Sequence, residues 1–306
     1  MTSLPFWYNK CIRIGVLNKK QNITIIKVVY EVDPIISMEQ KFSVLMSVYK
    51  GDNPVWLKEA LESVFAQTVK PNEVVIVCDG PLTKELEDVL AQYSSKIILH
   101  RLVKNSGLGE ALRQGIEKCS YPLIARMDSD DISLPDRFEK QLLYFEKYPD
   151  IAVLSGWIQE IDGDSLQPIA IRKVPCTDLD IKKFIRTRSP FNHMTVMYKK
   201  SAILDVGNYQ PFHLMEDYYL WARMSAKGYE MANLPAILLN ARINSAMYGR
   251  RGGLKYFKSN YAMSKKLCEL GLISLPTHLF NMAVRFCVQV LMPNSVRGYF
   301  YRKALR

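Results

Sequence analysis

Apolar and polar positions alternate in two distinct ways along the chain from residue 42 onward. Short continuous apolar runs, such as the one at 42–48, are typical of buried strands. After Pro54 the apolar residues recur every three or four positions, which is typical of a helix with one buried face. The pattern predicts strands at 42–48, 73–78, 96–102, 121–127 and 151–157, and helices that begin at 54, 83, 110 and 135.

Strand and helix alternate four times with short connections, and this alternation predicts the fold class. It is typical of an α/β domain in which helices cover both faces of a mainly parallel sheet. Beyond Trp157 the alternation weakens. There the sequence predicts a hairpin at 159–174, a helix at 177–187, a short strand at 194–198, a short helix at 199–205 and an aromatic-rich helix after 215, and the segment 231–239 closes the body.

The two ends of the chain differ from this body. Residues 1–37 contain one strand candidate at 22–32, and Met38 is an alternative start of translation, so we treat them as an extension of uncertain role. The last fifty residues are predicted to be helical. The sequence therefore predicts three parts, which are the extension at 1–37, a domain at 38–249 and a basic helical tail at 250–306.

A cluster of acidic residues follows the fourth predicted strand. Asp128, Asp130 and Asp131 bring three like charges into one turn, which is costly unless a cation joins them. Two carboxylates one residue apart at the end of a buried strand suit a hard divalent cation such as Mn²⁺ or Mg²⁺. The alternative is an acidic surface turn in which Asp131 or Ser133 caps the helix at Pro135.

Polar segments also follow the other predicted strands. They are Ser47 to Tyr49, Asp79-Gly80 and Lys104-Asn105. In open α/β sheets, ligands bind outside the carboxyl ends of the strands. The sequence therefore predicts a nucleotide site along the sheet edge that also carries the acidic turn.

Five motifs occur in the order found in family 2 glycosyltransferases, and over about residues 40–245 the chain resembles that family. It is most similar to members that act in bacterial O-antigen and exopolysaccharide synthesis, including the amylovoran-type enzymes. The resemblance implies the GT-A fold, whose sheet is Rossmann-like. The motifs are Phe42-Ser-Val-Leu-Met-Ser-Val-Tyr49, Asp79-Gly80, Asn105-Ser-Gly-Leu-Gly109, Arg126-Met-Asp-Ser-Asp-Asp131 and Met215-Glu-Asp217.

The resemblance also implies roles in donor binding. Asp79 would hydrogen-bond the uracil of a UDP-sugar, or it would only form an Asp-Gly turn. Asp128 would lie near the ribose and donor sugar and share with Asp130 the Mn²⁺ or Mg²⁺ on the diphosphate. Arg126 would reach donor oxygens or form a structural ion pair. The remaining residues assigned to the donor site are Ser47, Tyr49 and Asn105.

The last motif carries the candidate catalytic base. As an acceptor hydroxyl attacks the anomeric carbon it must lose its proton, and a carboxylate within hydrogen-bond reach can take it. The family position favours Asp217, with Glu216 as the adjacent candidate. The alternative is an acidic pair that interacts with a helix dipole. Attack opposite the departing UDP would invert the anomeric centre.

Three further residues are candidates for binding phosphate or the acceptor. His193 is one of four histidines and is either a ligand for phosphate or metal or a structural side chain. Arg250 and Arg251 precede two glycines and resemble a mobile basic loop that closes on a diphosphate. A solvated linker is the alternative.

The charge of the chain is unevenly placed. Its 306 residues carry a net charge of +11, of which residues 250–306 supply most, with 11 Lys/Arg and one acidic residue. Residues 1–249 hold 30 basic and 29 acidic residues. A neutral body with a cationic tail favours an anionic partner, either a membrane surface or a phosphorylated substrate. Nucleic acid is not expected, because no binding motif accompanies the charge.

The tail and the cysteines bear on location. Between Leu279 and Met292 the polar residues Asn281, Arg285 and Gln289 line one side of a helix too short to span a bilayer, which needs ~20 apolar residues. This helix either lies in the membrane interface or packs on the body. Six scattered cysteines and no signal-peptide pattern indicate a reducing compartment. We expect a cytoplasmic protein, peripheral to the inner face of the cell membrane.

These features predict an inverting, metal-dependent glycosyltransferase. It would move one sugar from a UDP-sugar to a saccharide, itself linked to a lipid diphosphate, in surface polysaccharide synthesis. The Gln-x-x-Arg-Trp motif of processive members is absent from the sequence, which favours one transfer per encounter. The first alternative is a sugar nucleotidyltransferase, but 49–53 is too short for its glycine-rich loop. The second is a non-catalytic, membrane-peripheral scaffold, against which the intact Asp128, Asp130 and Asp217 argue.

Overall fold

The first half of the sheet is parallel, as the alternation of strands and helices predicts. The computed structural model describes residues 40–243 and 253–288, so the extension at 1–37 with its strand candidate lies outside the described residues. Four strands pair in parallel in the order β3-β2-β1-β4. They are β1 (Phe42–Val48), β2 (Glu73–Cys78), β3 (Ile98–Arg101) and β4 (Leu123–Met127).

The second half of the sheet is mixed. It comprises β5 (Ile132–Ser133), β6 (Ile151–Asp162), β7 (Pro168–Arg172), β8 (Met197–Lys199) and β9 (Glu230–Ile243). Strand β8 lies antiparallel between β4 and β6, and β9 runs parallel to β6 along nearly its whole length. Strand β7 forms the predicted hairpin with β6, and β5 pairs with β9. The strand predicted to end at Trp157 therefore continues to Asp162.

Helices cover both faces of the sheet, as predicted. The helices are α1 (Pro54–Phe65), α2 (Lys84–Ala91), α3 (Leu108–Lys118), α4 (Arg137–Lys147), α5 (Asp178–Phe184), α6 (Lys200–Asp205), α7 (Glu216–Ala226), α8 (Gly253–Glu269) and α9 (Leu275–Phe286). The apolar sides of α1, α2 and α4 pack on one face. Those of α3, α5, α6, α7 and α8 pack on the other.

Side-chain alternation along the strands builds these two cores. In β1, Val44 and Met46 point into the α1 side, whereas Leu45 points into the α3 side. All three are fully buried. On the α3 side, Gly115 brings the helix close to the sheet, because a Cβ there would collide with Leu45 and Val77. Burial on both faces explains why these strands are continuous apolar runs in the sequence.

The parallel register aligns the carboxyl ends of the strands. Val48 pairs with Cys78 and Cys78 with Arg101, while Met46 of β1 pairs with Met127 of β4. The polar segments that follow these strands consequently lie along one edge of the sheet. Among the described residues, no helix is both long enough and apolar enough to cross a membrane.

Candidate active site

Three carboxylates converge where β4 ends. Asp128, Asp130 and Asp131 each offer one oxygen, and these oxygens lie within 4.8 Å of one another. The predicted acidic turn therefore gathers a group of ligands rather than dispersing its charges into solvent. Carboxylate oxygens at this spacing match the hard ligands that Mg²⁺ and Mn²⁺ prefer.

Asp131 belongs to this cluster, and the alternative in which Asp131 or Ser133 caps the next helix is not what the structure shows. Helix α4 begins after Asp136. Asp131 instead turns inward, where its Oδ1 accepts a hydrogen bond of 2.9 Å from the backbone N–H of Arg242 in β9. Its buried Oδ2 has no hydrogen-bond partner within 40–243 and 253–288. An unpartnered, buried carboxylate oxygen beside two other carboxylates fits a cation-binding group.

The protonation behaviour of the cluster points the same way. Burial, followed by repulsion from Asp128 and Asp52, raises the pKa of Asp130 from 3.8 to about 7. Burial, followed by repulsion from Asp130 and Asp128, also raises the pKa of Asp131 well above its ordinary value. Like charges at this spacing disfavour full ionisation unless a cation is bound. The residues present therefore fit a divalent metal ion.

A pH dependence of stability follows from the raised pKa of Asp130. Between the ordinary pKa of 3.8 and the folded value of about 7, the folded, metal-free chain binds more protons than the unfolded chain. The free energy of unfolding is then expected to fall as the pH rises across this window and to stay low above it. Thermal melts in the presence of a chelator, from about pH 5 to about pH 8, measure this decline.

Added Mn²⁺ or Mg²⁺ is expected to restore the melting temperature at the upper end of that range, since the cation binds the ionised cluster. Asp130→Asn should flatten the decline and weaken the response to the cation. Equal melting temperatures with chelator and with cation, for both proteins, would contradict the assignment.

Arg126 forms the ion pair that the sequence left open. Its side chain is 2 % exposed, and its guanidinium donates to both carboxylate oxygens of Asp128, at 2.8 Å for Nη1–Oδ2. The backbone carbonyl of Arg126 in turn accepts a hydrogen bond of 2.6 Å from buried Arg137. The pair fixes the orientation of Asp128 beside the cluster. Contact of Arg126 with donor oxygens stays a prediction.

Asp52 is a site residue that the sequence analysis missed. Its Oδ2 accepts a hydrogen bond of 2.8 Å from Ser129 Oγ and one of 3.0 Å from the backbone N–H of Tyr49. Burial, which outweighs these two hydrogen bonds, raises the pKa of Asp52 to about 6. Asp52 thus ties the loop after β1 to the acidic turn. The sequence did offer one indication of this role, because Asp52 is an acidic residue in the loop that follows the first motif.

Asp79 lies at the end of β2, where it organises the next loop. Its two carboxylate oxygens accept hydrogen bonds from the backbone N–H groups of Ser106 (2.6 Å) and Gly107 (2.9 Å). Asn105 Nδ2 donates to the carbonyl of Asp79 at 3.3 Å. Gly80 has a φ of +87°, which only glycine adopts readily. The predicted Asp-Gly turn is therefore present. Asp79 and Asn105, which the sequence assigned to the binding site of the UDP-sugar, are in contact.

Ser47 and Tyr49 flank this group at the end of β1. Ser47 lies within the strand, and Tyr49 follows it with 46 % of its side chain exposed. Ser47 pairs with Val77 of β2, and the preceding residue, Met46, pairs with Met127 of β4. The ring of Tyr49 lies close to Gly51, where an added Cβ would come within 2.6 Å of it.

The second half of the site is the first turn of α7. Ser189 Oγ donates a hydrogen bond of 3.2 Å to Asp217 Oδ2. Burial raises the pKa of Asp217, and burial followed by repulsion from Asp217 raises the pKa of Glu216 to about 7. Carboxylates with raised pKa values are suited to accept a proton near neutral pH.

The two halves meet at Arg126. The positive charge of Arg126 lowers the pKa values of Asp130, Glu216 and Asp217 and so offsets part of the effect of burial. The negative charge of Asp128 raises the pKa of Glu216. The packing agrees, since a Cβ at Gly109 would lie 3.1 Å from the Cβ of Glu216. The acidic turn and the start of α7 are therefore both within electrostatic reach of buried Arg126, and the start of α3 at Gly109 packs against the start of α7.

His193 lies in an aromatic cluster. Its Nε2 lies 2.7 Å from the hydroxyl of Tyr209, and its ring contacts Trp221 edge to face. Burial, followed by repulsion from Arg126, lowers the pKa of His193 well below its ordinary value, which favours a neutral imidazole. These contacts are those of a structural histidine, and a role in binding phosphate stays a prediction. The other two candidates, Arg250 and Arg251, lie outside the described residues.

Comparison with known proteins adds sequence relatives. Residues 43–208 match the family model described as Glycosyl transferase family 2. An uncharacterized glycosyltransferase of Haemophilus influenzae is 43 % identical over 268 residues, which cover 87 % of this chain and 99 % of the relative. The amylovoran biosynthesis glycosyltransferase AmsE of Erwinia amylovora is 37 % identical and covers 86 % and 98 % of the two chains.

A third relative has a named reaction, and a solved structure shares the fold. The UDP-Gal:alpha-D-GlcNAc-diphosphoundecaprenol beta-1,3-galactosyltransferase of Escherichia coli is 39 % identical, over 87 % of this chain and 97 % of the relative. The structure of S. aureus TarS 1-349 in complex with UDP-GlcNAc aligns with a TM-score of 0.63 and 18 % identity, over 87 % of this chain and 76 % of that one. At this identity the likeness shows the fold alone.

Proposed function

The chain belongs to glycosyltransferase family 2, and on that premise we propose that it is an inverting, metal-dependent transferase acting on a UDP-sugar. It would add one sugar to a saccharide that is carried on a lipid diphosphate. The observation that carries the proposal is the carboxylate cluster of the acidic turn, which lies with the acidic start of α7 within electrostatic reach of buried Arg126. Donor and acceptor chemistry need these two groups side by side.

The donor would bind along the carboxyl ends of β1, β2 and β4. Asp79 is already oriented by two backbone N–H groups, and it retains lone pairs that would accept a hydrogen bond from the uracil N–H. Ser47, Tyr49 and Asn105 would line the nucleoside pocket around it. Arg126 would hold Asp128 towards the ribose and the donor sugar through the bidentate pair.

Asp130 and Asp128 would hold the divalent cation, with Asp131 as a third candidate ligand. When bound, Mn²⁺ or Mg²⁺ would neutralise negative charge on the diphosphate as UDP departs. Asp52 would act beside this group by holding Ser129 and the loop at Tyr49 in place.

Asp217 would act as the general base. The acceptor hydroxyl oxygen would form its bond to the anomeric carbon from the face opposite UDP, while the bond from that carbon to the UDP oxygen breaks. The hydroxyl proton would pass to Asp217, whose carboxylate Ser189 orients. Inversion follows from this single displacement. Glu216 would add a second negative charge at the N-terminus of α7, where the helix dipole stabilises negative charge.

The acceptor proposal rests on the relatives. One of them, by its name, acts on GlcNAc-diphosphoundecaprenol, and another acts in amylovoran biosynthesis. We infer the same acceptor class for this chain, in the synthesis of O-antigen or exopolysaccharide. Such an acceptor would place the protein on the cytoplasmic face of the cell membrane.

A transfer assay tests the proposal. The purified protein is incubated with UDP-Gal, UDP-Glc or UDP-GlcNAc and a synthetic lipid-diphosphate-GlcNAc, in Mn²⁺, Mg²⁺ or chelator. Mass spectrometry is expected to find one added sugar with one UDP donor, dependent on the cation, and NMR a β-linkage from the α-linked donor. GDP-mannose serves as the control donor. Absence of product with all three UDP-sugars in the presence of cation would overturn the proposal.

A further inference from the structure

Helix α9 packs on the body through its polar side. Arg285 Nη1 donates to Asn260 Oδ1 of α8 at 2.6 Å, and its Nη2 donates to the carbonyl of Thr187. Asn281 Nδ2 donates to the carbonyl of Arg186 at 3.5 Å. Asn281 and Arg285, which the sequence placed on one side of this helix, therefore contact α8 and the segment after α5, whereas Gln289 lies outside the described residues.

The apolar side of α9 faces outward as a consequence. Leu279 is 61 % exposed and Phe280 is 68 % exposed. The exposed large apolar side chains, here called the α9 apolar face, are Leu275, Leu279, Phe280, Val284 and Phe286, of which Phe286 also contacts Phe257 of α8. A surface helix in water normally buries such residues and exposes its polar ones. A contiguous apolar face of this kind marks an interaction surface.

Helix α8, on which α9 packs, carries exposed cations. Lys255, Lys258 and Lys265 of α8 are exposed. In the sequence, residues 289–306, which continue from α9, add four Lys/Arg and no acidic residue, together with the aromatic run Tyr299-Phe300-Tyr301. Apolar and aromatic residues with interspersed cations match the interface of an anionic bilayer.

We propose that the α9 apolar face docks on an anionic lipid bilayer. The inference rests on the proposed function, since it supplies the surface on which a lipid-linked acceptor is met. A second copy of the chain fits less well, because an isologous interface would bring two cationic segments together. On a bilayer the same cations meet opposite charge, each contributing to adhesion over a short range.

Docking through α9 also orients the acceptor side of the site. Arg285 holds the carbonyl of Thr187, two residues before Ser189, which contacts Asp217. The membrane-facing helix is thus joined through one short segment to the side chain that orients the proposed base. A lipid-linked acceptor would enter from the side of the protein that rests on the bilayer.

Vesicle flotation tests the inference with the full chain. Phosphatidylcholine vesicles with and without phosphatidylglycerol are compared, and the wild-type chain is expected to float with the anionic vesicles and to detach in high salt. The double substitution Leu279→Gln/Phe280→Ser should weaken binding at least about tenfold. Leu179→Gln, at a leucine 64 % exposed on α5, is the matched control and should bind as wild type.

The outcomes separate this inference from the proposed function. Both variants should keep wild-type melting temperatures and wild-type turnover on a water-soluble, short-chain acceptor. Unchanged flotation of the double variant, or a wild-type dimer that this variant dissociates, would overturn docking on lipid while leaving the transferase intact. Absence of turnover by the wild-type chain on the soluble acceptor would instead contradict the proposed function.

A second measurement uses the unmodified protein. Cys287 directly follows α9, and its thiol is exposed. Anionic vesicles are expected to slow its modification by a water-soluble maleimide several-fold, as read by peptide mass mapping. The rate at half-buried Cys176, on the body, should not change. Equal rates at Cys287 with and without vesicles would overturn the proposal.

Discussion

Replacing Asp217 by asparagine is expected to lower kcat by about 10²–10⁴-fold while leaving the affinity for UDP unchanged. Asparagine keeps the shape of the side chain and still contacts Ser189, but it cannot accept the proton of the attacking hydroxyl. The proposed nucleotide pocket, at the carboxyl ends of β1, β2 and β4, does not include Asp217. Steady-state transfer kinetics and calorimetric titration with UDP measure the two quantities separately.

Two neighbouring substitutions serve as controls for Asp217. Glu216→Gln should cost kcat much less, because Glu216 is not assigned the proton. Ser189→Ala should lower kcat modestly and shift its pH profile, since the hydroxyl acts through Asp217 by hydrogen bonding to it. If Glu216→Gln abolished turnover and Asp217→Asn did not, the base would be Glu216.

Replacing Asp130 by asparagine is expected to abolish the cation dependence of UDP binding and to lower kcat/KM by about 10²–10³-fold. The neutral amide removes one hard ligand and one charge from a cluster that depends on both. Binding of UDP with Mn²⁺ and with chelator, followed by transfer kinetics, measures the loss. UDP should bind the variant equally weakly in either condition.

Asp150→Asn is the matched control for this substitution. Asp150 is exposed and lies between α4 and β6, outside the cluster. It should retain both the cation effect and wild-type turnover. If the Asp130→Asn variant still needed Mn²⁺ to bind UDP, the metal would have to be held by other residues.

The sequence predicted the first half of the fold well, because its strands are buried on both faces. The predicted bounds of β1 and β2 are those observed, because a polar turn directly after an apolar run marks where the strand ends. The predicted family is confirmed by the family model and by relatives at 37–43 % identity. The predicted end of β6 at Trp157 was wrong, because pairing with β7 and β9 stabilises a more polar extension.

Parts of the site were beyond prediction, because their contacts join distant positions of the chain. Ser129 meets Asp52 across 77 residues, and Asp131 meets the backbone of Arg242 across 111. Because the partners are so far apart in the sequence, no local motif indicates either contact. Local chemistry left a helix cap open as the alternative role of Asp131, whereas the contact with β9 turns this side chain inward.

The long pairing of β6 with β9 has a consequence for dissecting this protein. The family match ends at residue 208, whereas β9 begins at Glu230 and the acidic start of α7 lies between them. A recombinant piece trimmed to the matched region would leave β6, a strand of 12 residues, with one long open edge. Open edges of that length recruit other strands and promote aggregation. The unit that can be expressed and crystallised thus extends at least through Ile243.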